Sequence, residues 1–190
     1  MTSIARTVVD VASVASLHTA VAIMDAALSG LKDRNDQWIR PPVSKDDLTD
    51  ELLRRGVARG SQQAEWALRF SDGRSGSPGE SVSRVTMHQI GCPAPELQHT
   101  FRDKGGVFVA TTDFWWPGYN LTGEFDGRGK YLRDELTQGR SVAQVVVDEK
   151  IREDALRALG PGMSRWVWEE ALSARALWLK LTRAGLPCLK

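Results

Sequence analysis

The pattern that points most directly to chemistry is a pair of carboxylates, Glu124 and Asp126. Residues two apart on a β-strand lie on the same side of it. Neighbouring carboxylates repel each other unless a cation lies between them. Mg²⁺ and Mn²⁺ are hard ions that bind carboxylate oxygens. The spacing therefore predicts a divalent metal site at this position.

Two further acids extend the predicted site. Asp113 lies on the preceding predicted strand, which is joined to that of Glu124 by a tight turn at Pro117-Gly118. The rest of its strand is apolar, where an unpaired charge is costly, so we expect Asp113 to have a metal or a base as partner. Glu80, near the start of a helix, is a candidate fourth oxygen ligand. Such a metal would activate water and stabilise charge on a scissile phosphate.

Each acid also has a simpler structural interpretation. Asp126-Gly127 is a common turn dipeptide. Ser77-Pro78-Gly79-Glu80 has the form of a helix capping box with Pro at the first helical position, and Arg84 is spaced to pair with Glu80. One hypothesis for the whole chain is therefore that it is a structural protein whose acids only form caps and turns.

The elements that must position these acids follow a loop, Ser71–Gly79, rich in Ser and Gly. Hydrophobic periodicity and turn residues predict the order α-β-β-β-α-β-α, and therefore an α/β fold with a mixed sheet. The predicted elements are, in order, helix Ser77–Ile90, strands Glu96–Phe101, Val107–Trp116 and Tyr119–Phe125, helix Val142–Leu159, strand Met163–Trp168 and helix Glu169–Arg183.

The segment before that loop is predicted to be helical. Residues Ile4–Leu31 are predicted to be helical, a polar break occupies Lys32–Ser44, a capped helix begins at Ser44, and a further helical run covers Gln62–Phe70. The predicted organisation is a helical N-terminal region, residues 1–72, followed by an α/β domain, residues 73–190.

Composition excludes several classes of protein. The 42% hydrophobic and 26% charged content is that of a soluble globular protein, and no stretch has the roughly 20 apolar residues of a membrane span. The start lacks the features of a secretory signal, so we expect a cytoplasmic protein with no membrane partner. Cys92 and Cys188 are predicted to form neither a disulfide framework nor a zinc site. A net charge of +1 favours neither presence nor absence of a nucleic-acid partner.

Several stretches, in this order and spacing, resemble one known family over nearly the whole chain. They are Ser77-Pro78-Gly79-Glu80-Ser81, Asp113-Phe114-Trp115-Trp116, Gly123-Glu124-Phe125-Asp126-Gly127, and Glu149-Lys150-x-Arg152-Glu153-Asp154 leading to Arg165-Trp166-Val167-Trp168. The chain resembles the PD-(D/E)XK nuclease superfamily, in its very-short-patch-repair-like branch, as in the C-terminal region of actinobacterial AbiEi-type antitoxin or regulator proteins. The resemblance implies a restriction-endonuclease-like sheet, Asp113 and Glu124 as metal ligands, and Glu80 as a supporting acid.

The chain departs from that family in two ways. Where the motif has lysine, this chain has Asp126, so Lys130 or Lys150 is the candidate for the missing positive charge. The very-short-patch relatives also lack that lysine. The actinobacterial relatives carry an N-terminal winged helix, and nothing before Arg6 is long enough to form one. We expect a partner protein to supply DNA reading, or that function to be lost.

Two functions of different kinds follow from this pattern. One is a Mg²⁺-dependent nuclease that hydrolyses DNA or RNA. The alternative is a catalytically silent module with a nuclease fold, acting in a toxin-antitoxin or transcription-regulator system. Fold alone cannot decide between them, because function resides in the site.

Overall fold

The computed structural model describes residues 2–127 and 142–189. Within it the chain forms two compact units that divide between Thr86 and Met87. The helix Pro78–Gln89 runs across this division. The loop in which the sequence analysis set its domain boundary, at residue 72, lies directly before this helix.

The first unit is built from helices and one short hairpin. Its elements are α1 (Ile4–Val14), α2 (Leu17–Ser29), β1 (Leu31–Lys32), β2 (Trp38–Arg40), α3 (Lys45–Arg55), α4 (Ser61–Phe70) and the first turns of α5 (Pro78–Gln89). Apart from Leu31, the hairpin lies within the segment that the sequence predicted as a polar break. Asp33 Oδ1 accepts the backbone N–H groups of Asn35 and Gln37, which closes the turn.

The stretch Ile4–Leu31, predicted to be helical, is helical from Ile4 to Ser29 except for a break at Ala15 and Ser16. Helix α1 ends at Val14, and Ser16 begins α2 by accepting the backbone N–H of Thr19 on its side-chain oxygen, at 3.3 Å. A serine oxygen satisfies a helix-start donor that otherwise has no partner. Apolar residues on more than one face of this stretch therefore belong to two helices that pack on each other.

The core of the first unit combines small and large side chains. Alanines let the helices approach closely, and Met24 and Leu48 fill the space between them with no exposed surface. Burying a side chain of that size stabilises the fold by about 1.5–3 kcal/mol. The predicted cap of α3 is confirmed, because Ser44 and Asp47 form a complete capping box.

The second unit contains a four-stranded mixed sheet. Its elements are β3 (Glu96–Arg102), β4 (Phe108–Trp116), a single 3₁₀ turn (Pro117–Tyr119), β5 (Leu121–Phe125), α6 (Val142–Ala158), β6 (Gly162–Trp166), α7 (Trp168–Ala171) and α8 (Ala174–Arg183). The strand order is β3-β4-β5-β6, with β3, β4 and β5 antiparallel in turn and β5 parallel to β6. The predicted mixed α/β class is confirmed.

Alternation along β4 separates two faces of the sheet. Ala110, Thr112, Phe114 and Trp116 are buried, whereas the odd-numbered residues between them, Asp113 included, are half-buried. The ring of Trp166 on β6 stacks on that of Phe114, with centroids 5.3 Å apart. Trp166 is thus a core residue. The strand, predicted to continue to Trp168, ends there, and Trp168 begins α7 and is 39% exposed.

A disulfide joins Cys92 to Cys188, which corrects the expectation that the two cysteines have no such role. The chain after α8 returns to the segment that follows α5, where Leu189 N–H donates to the carbonyl of Gly91. The fold brings together two cysteines that are 96 residues apart, and their spacing in the sequence does not predict this pairing.

No helix in the described parts of the chain is long and apolar enough to cross a lipid bilayer.

Candidate active site

Asp113 and Glu124 lie across from each other at the end of the β4–β5 ladder. The last paired residues of these strands are Phe114 and Gly123. Asp113 precedes the first of them and Glu124 follows the second, so the same antiparallel register places the two acids opposite one another. Directly opposite residues of an antiparallel pair project from the same face. The structure therefore brings together two of the predicted ligands.

The carboxylate of Asp113 is held by amide groups. Its Oδ2 accepts the backbone N–H of Phe125 at 2.8 Å, just beyond the last paired residues of the ladder. Its Oδ1 lies 3.5 Å from Nε2 of Gln98 on β3. Gln98 adopts a left-handed backbone conformation, with φ 52°, which typically costs about 1–3 kcal/mol in a residue other than glycine. Strand β3 is thus irregular next to Asp113.

Glu124 is bound by two arginines from neighbouring elements. Arg165 lies opposite Glu124 in the parallel pairing of β5 with β6, and its Nε and one terminal nitrogen each approach Glu124 Oε2 at 2.9 Å. Arg152 on α6 approaches the other oxygen, Oε1, at 3.5 Å. The Glu124 side chain is only 12% exposed. A carboxylate so enclosed requires such partners, because burying an unpaired charge is costly.

Both arginines make further contacts that fix them around Glu124. The remaining terminal nitrogen of Arg165 lies 3.1 Å from Glu153 on α6. Arg152 also donates to the carbonyl oxygen of Thr111 on β4. The site is therefore a network of alternating acids and guanidinium groups rather than a group of acids alone.

Neither Arg152 nor Arg165 is predicted from the sequence as an individual site residue. One signal was available for Arg165: it precedes the core residue Trp166 on a strand and therefore points to the other face. An arginine on a half-buried sheet face needs an anionic partner. The sequence does not show which carboxylate it meets.

The other predicted site residues have different surroundings. Asp126 follows β5, is half-buried, and donates its backbone N–H to the carbonyl of Trp166, which continues the parallel pairing by one residue. Lys150 is exposed on α6. Lys130 lies outside the described residues. The roles of all three remain predictions.

Glu80 lies in the first unit and caps α5. Its carboxylate accepts the backbone N–H of Gly76 at 2.7 Å and the hydroxyl of Ser77 at 2.8 Å, while its own N–H donates to Ser77 Oγ. The bond from Glu80 N–H to Ser77 Oγ is the one that the predicted capping box requires, and the carboxylate also accepts the N–H of Gly76, which precedes Ser77. Arg84, which the sequence placed for a pair with Glu80, extends to Asp25 of α2. The role of Glu80 as a supporting acid remains a prediction.

The described residues contain no group of three or more Asp, Glu, His or Cys side chains arranged to hold a metal ion. The donor types nevertheless fit Mg²⁺, which is usually bound through one or two carboxylates together with waters and substrate phosphates. Asp113 and Glu124 supply two carboxylates on one face of the sheet. A cation bound through Glu124 Oε2 would compete with the guanidinium of Arg165 for that oxygen.

Comparison with known proteins gives relatives without a described function. The chain is 30% identical over 164 residues to two uncharacterized proteins of Mycobacterium tuberculosis, one from strain CDC 1551 / Oshkosh and one from strain ATCC 25618 / H37Rv. The aligned region covers 80% of this chain and 56% of each relative, so the chain spans about half the length of the curated relatives it matches. No family model and no solved structure matches. The resemblance to the PD-(D/E)XK nucleases remains a prediction.

Proposed function

We propose that this chain is a metal-dependent nuclease that hydrolyses phosphodiester bonds of DNA or RNA, with Mg²⁺ or Mn²⁺ bound by Asp113 and Glu124. The observation that supports it best is the opposition of these two acids on a face that also carries Arg152 and Arg165. Carboxylates bind the cation, and guanidinium groups bind phosphate oxygens. A phosphodiesterase site needs both kinds of group within one cluster.

Each residue has a definable task in such a site. Asp113 is oriented by the backbone of Phe125, so one of its oxygens is fixed before any ligand arrives. Arg152 and Arg165 supply positive charge for a phosphate whose negative charge increases during the reaction. When bound, a divalent cation would lower the pKa of the attacking water and polarise the phosphoryl group. Lys150 and Lys130 remain candidates for a further contact with the phosphate, and Asp126 for a third ligand.

A second candidate function is favoured by the pairing of Glu124. Its carboxylate is already neutralised by Arg165 at 2.9 Å, and Asp113 already accepts amide N–H groups. An acid satisfied within the protein does not require a metal. This favours a catalytically silent module with a nuclease-like sheet that binds nucleic acid or a partner protein, as in a toxin-antitoxin or regulator system.

Cleavage assays distinguish the two functions. Labelled single- and double-stranded DNA and RNA are incubated with the parent protein in Mg²⁺, Mn²⁺ or EDTA. The variants are Asp113→Asn and Glu124→Gln, which remove charge with little change in shape. The amide oxygen of Asn can still accept the N–H of Phe125, so the first variant keeps the end of the sheet intact. Asp154→Asn, at an exposed position on α6, is the matched control.

For a nuclease we expect metal-dependent cleavage by the parent and by Asp154→Asn, and a loss of at least about a hundredfold in the other two variants. We also expect Mg²⁺ to raise the melting temperature of the parent but not of Glu124→Gln, because a ligand that binds only the folded state stabilises it. If folded parent protein shows neither cleavage nor a metal-dependent shift, the proposed nuclease is wrong. Nucleic-acid binding without cleavage would then support the silent module.

A further inference from the structure

The contact between Arg165 and Glu124 competes with the proposed metal site. Two N–H groups of Arg165 are directed at Glu124 Oε2, both at 2.9 Å. A divalent cation bound to that oxygen takes the same lone pairs and repels the guanidinium. The cation and Arg165 therefore compete for Oε2. A cation that binds Glu124 through Oε2 displaces one edge of the Arg165 guanidinium.

The released edge would remain fixed at the site. The other terminal nitrogen of Arg165 is paired with Glu153 at 3.1 Å, and the carbonyl of Arg165 accepts Nζ of Lys180 at 2.6 Å. The Arg165 side chain is 31% exposed, so a ligand can reach it from solvent. A planar guanidinium held at one end presents its remaining N–H groups in a fixed direction. Such an edge matches two oxygens of a phosphate group.

We propose that Arg165 is the phosphate-binding residue of this site and that Glu124 occupies it until a cation binds the carboxylate. The proposal rests on the proposed function and adds the group that recognises the substrate phosphate. Arg165 supplies positive charge to the site from the adjacent strand β6. Arg152 lies farther from Glu124, at 3.5 Å, and contributes less.

The test is binding of labelled DNA in EDTA, so that no metal and no cleavage take part. Fluorescence anisotropy gives the affinity of each full-length protein for one fluorescein-labelled oligonucleotide, single-stranded or duplex. The neutral Gln in Glu124→Gln holds the guanidinium more weakly, which leaves Arg165 available to the DNA. We expect this variant to bind about tenfold more tightly than the parent, the gain of one charge-assisted phosphate contact.

Three comparisons separate this effect from a general change in charge. Asp154→Asn removes the same charge from an exposed position one residue from Glu153, and we expect less than a twofold change. The double variant Glu124→Gln/Arg165→Gln should lose the tenfold gain. Glu124→Gln/Arg165→Lys keeps the positive charge but not the fork of N–H groups, and should retain only part of the gain. Circular dichroism shows whether each variant is folded. If Glu124→Gln/Arg165→Gln is not folded, Glu124→Gln/Arg165→Lys takes its place in the comparison.

The proposal is overturned if Glu124→Gln binds DNA no more tightly than Asp154→Asn, or if its gain persists without Arg165. These results are independent of cleavage. If no metal supports cleavage but Glu124→Gln still binds DNA more tightly, the nuclease proposal is wrong and the role of Arg165 stands. If the protein is a metal-dependent nuclease whose DNA affinity does not depend on Arg165, the role of Arg165 is wrong.

Discussion

Asp25 on α2 and Arg84 on α5 form an ion pair of 2.7 Å in which both side chains are buried, with exposures of 1% and 9%. The second oxygen of Asp25 accepts the backbone N–H of Asp72. Arg84 also donates to the carbonyl of Phe70 and lies over its ring. One carboxylate and one guanidinium thus tie α2, the end of α4 and α5 together within the first unit.

Removing one partner of this pair should destabilise the protein strongly. Asp25→Ala leaves the guanidinium of Arg84 buried without its carboxylate, and we expect a loss of about 3–5 kcal/mol in the free energy of unfolding. Urea denaturation measures it. Glu65→Gln, in the exposed Glu65–Arg69 pair of the same unit, is the control and should change stability by less than about 1 kcal/mol. Equal effects in the two variants would contradict a structural role for the buried pair.

His18 should make the protein sensitive to mild acid. Its Nε2 lies 3.1 Å from the hydroxyl of Thr86, and burial lowers the pKa of the imidazole below its ordinary range. Above the ordinary value of about 6.5 the ring is neutral in both states, so its stabilising contacts are complete. As pH falls, the unfolded chain takes up the proton first, and the folded state loses stability until the lowered pKa is passed.

The measurement is the free energy of unfolding of the parent and of His18→Gln between pH 7.5 and 5, a range that brackets about 6.5. We expect the parent to lose more stability than the variant over this interval. A parallel decline in the two proteins would show that other groups cause the acid sensitivity.

Gly123 should tolerate no side chain. A Cβ at this position would lie 2.6 Å from the ring of Trp166 and 3.0 Å from that of Trp116, both of which are in the core. Gly123→Ala forces these rings or β5 to move. We expect the free energy of unfolding, measured by urea denaturation, to fall by about 1–3 kcal/mol. The substitution should also reduce the rise in melting temperature that Mg²⁺ causes, because Gly123 adjoins Glu124. Gly118→Ala, which meets nothing within 4 Å, should be close to neutral in both measurements.

The disulfide should stabilise the second unit. Cys188→Ser, or reduction with dithiothreitol, opens a loop of 96 residues and gives the unfolded chain more conformational freedom. We expect the free energy of unfolding to fall by about 2–4 kcal/mol. The midpoint of thermal unfolding follows the change. Dithiothreitol should have no further effect on Cys188→Ser. Detection of two free thiols in the folded, untreated protein would show that the bond does not form under those conditions.

Local signals in the sequence were sufficient for most of the order of elements. Periodicity and turn residues predicted strands β3 and β4, and the capping residues Ser44 and Ser77 marked helix starts that the structure contains. The break within Ile4–Leu31 was not predicted, because Ser16, which caps α2, is surrounded by good helix formers. A short polar residue inside an apolar run has two interpretations, and only packing between α1 and α2 decides between them.

The candidate site was predictable only where a local turn determines the strand register. The opposition of Asp113 and Glu124 follows from one tight turn, which fixes the register of β4 with β5. The contacts of Glu124 with Arg165 depend on the parallel pairing of β5 with β6, whose register no local turn determines. The pairs Asp25–Arg84 and Cys92–Cys188 are likewise set by tertiary structure alone.

The bond between Cys92 and Cys188 also changes the topology of the polypeptide. With it closed, the backbone between the two cysteines is a covalent ring that carries the whole mixed sheet and the acid–arginine network. A protease that cuts one peptide bond in this ring linearises it without releasing a fragment. Nicked protein would therefore keep its full mass on a non-reducing gel and separate into two pieces only after reduction. Damage to the chain in this region would go unnoticed in any assay of size that leaves the bond intact.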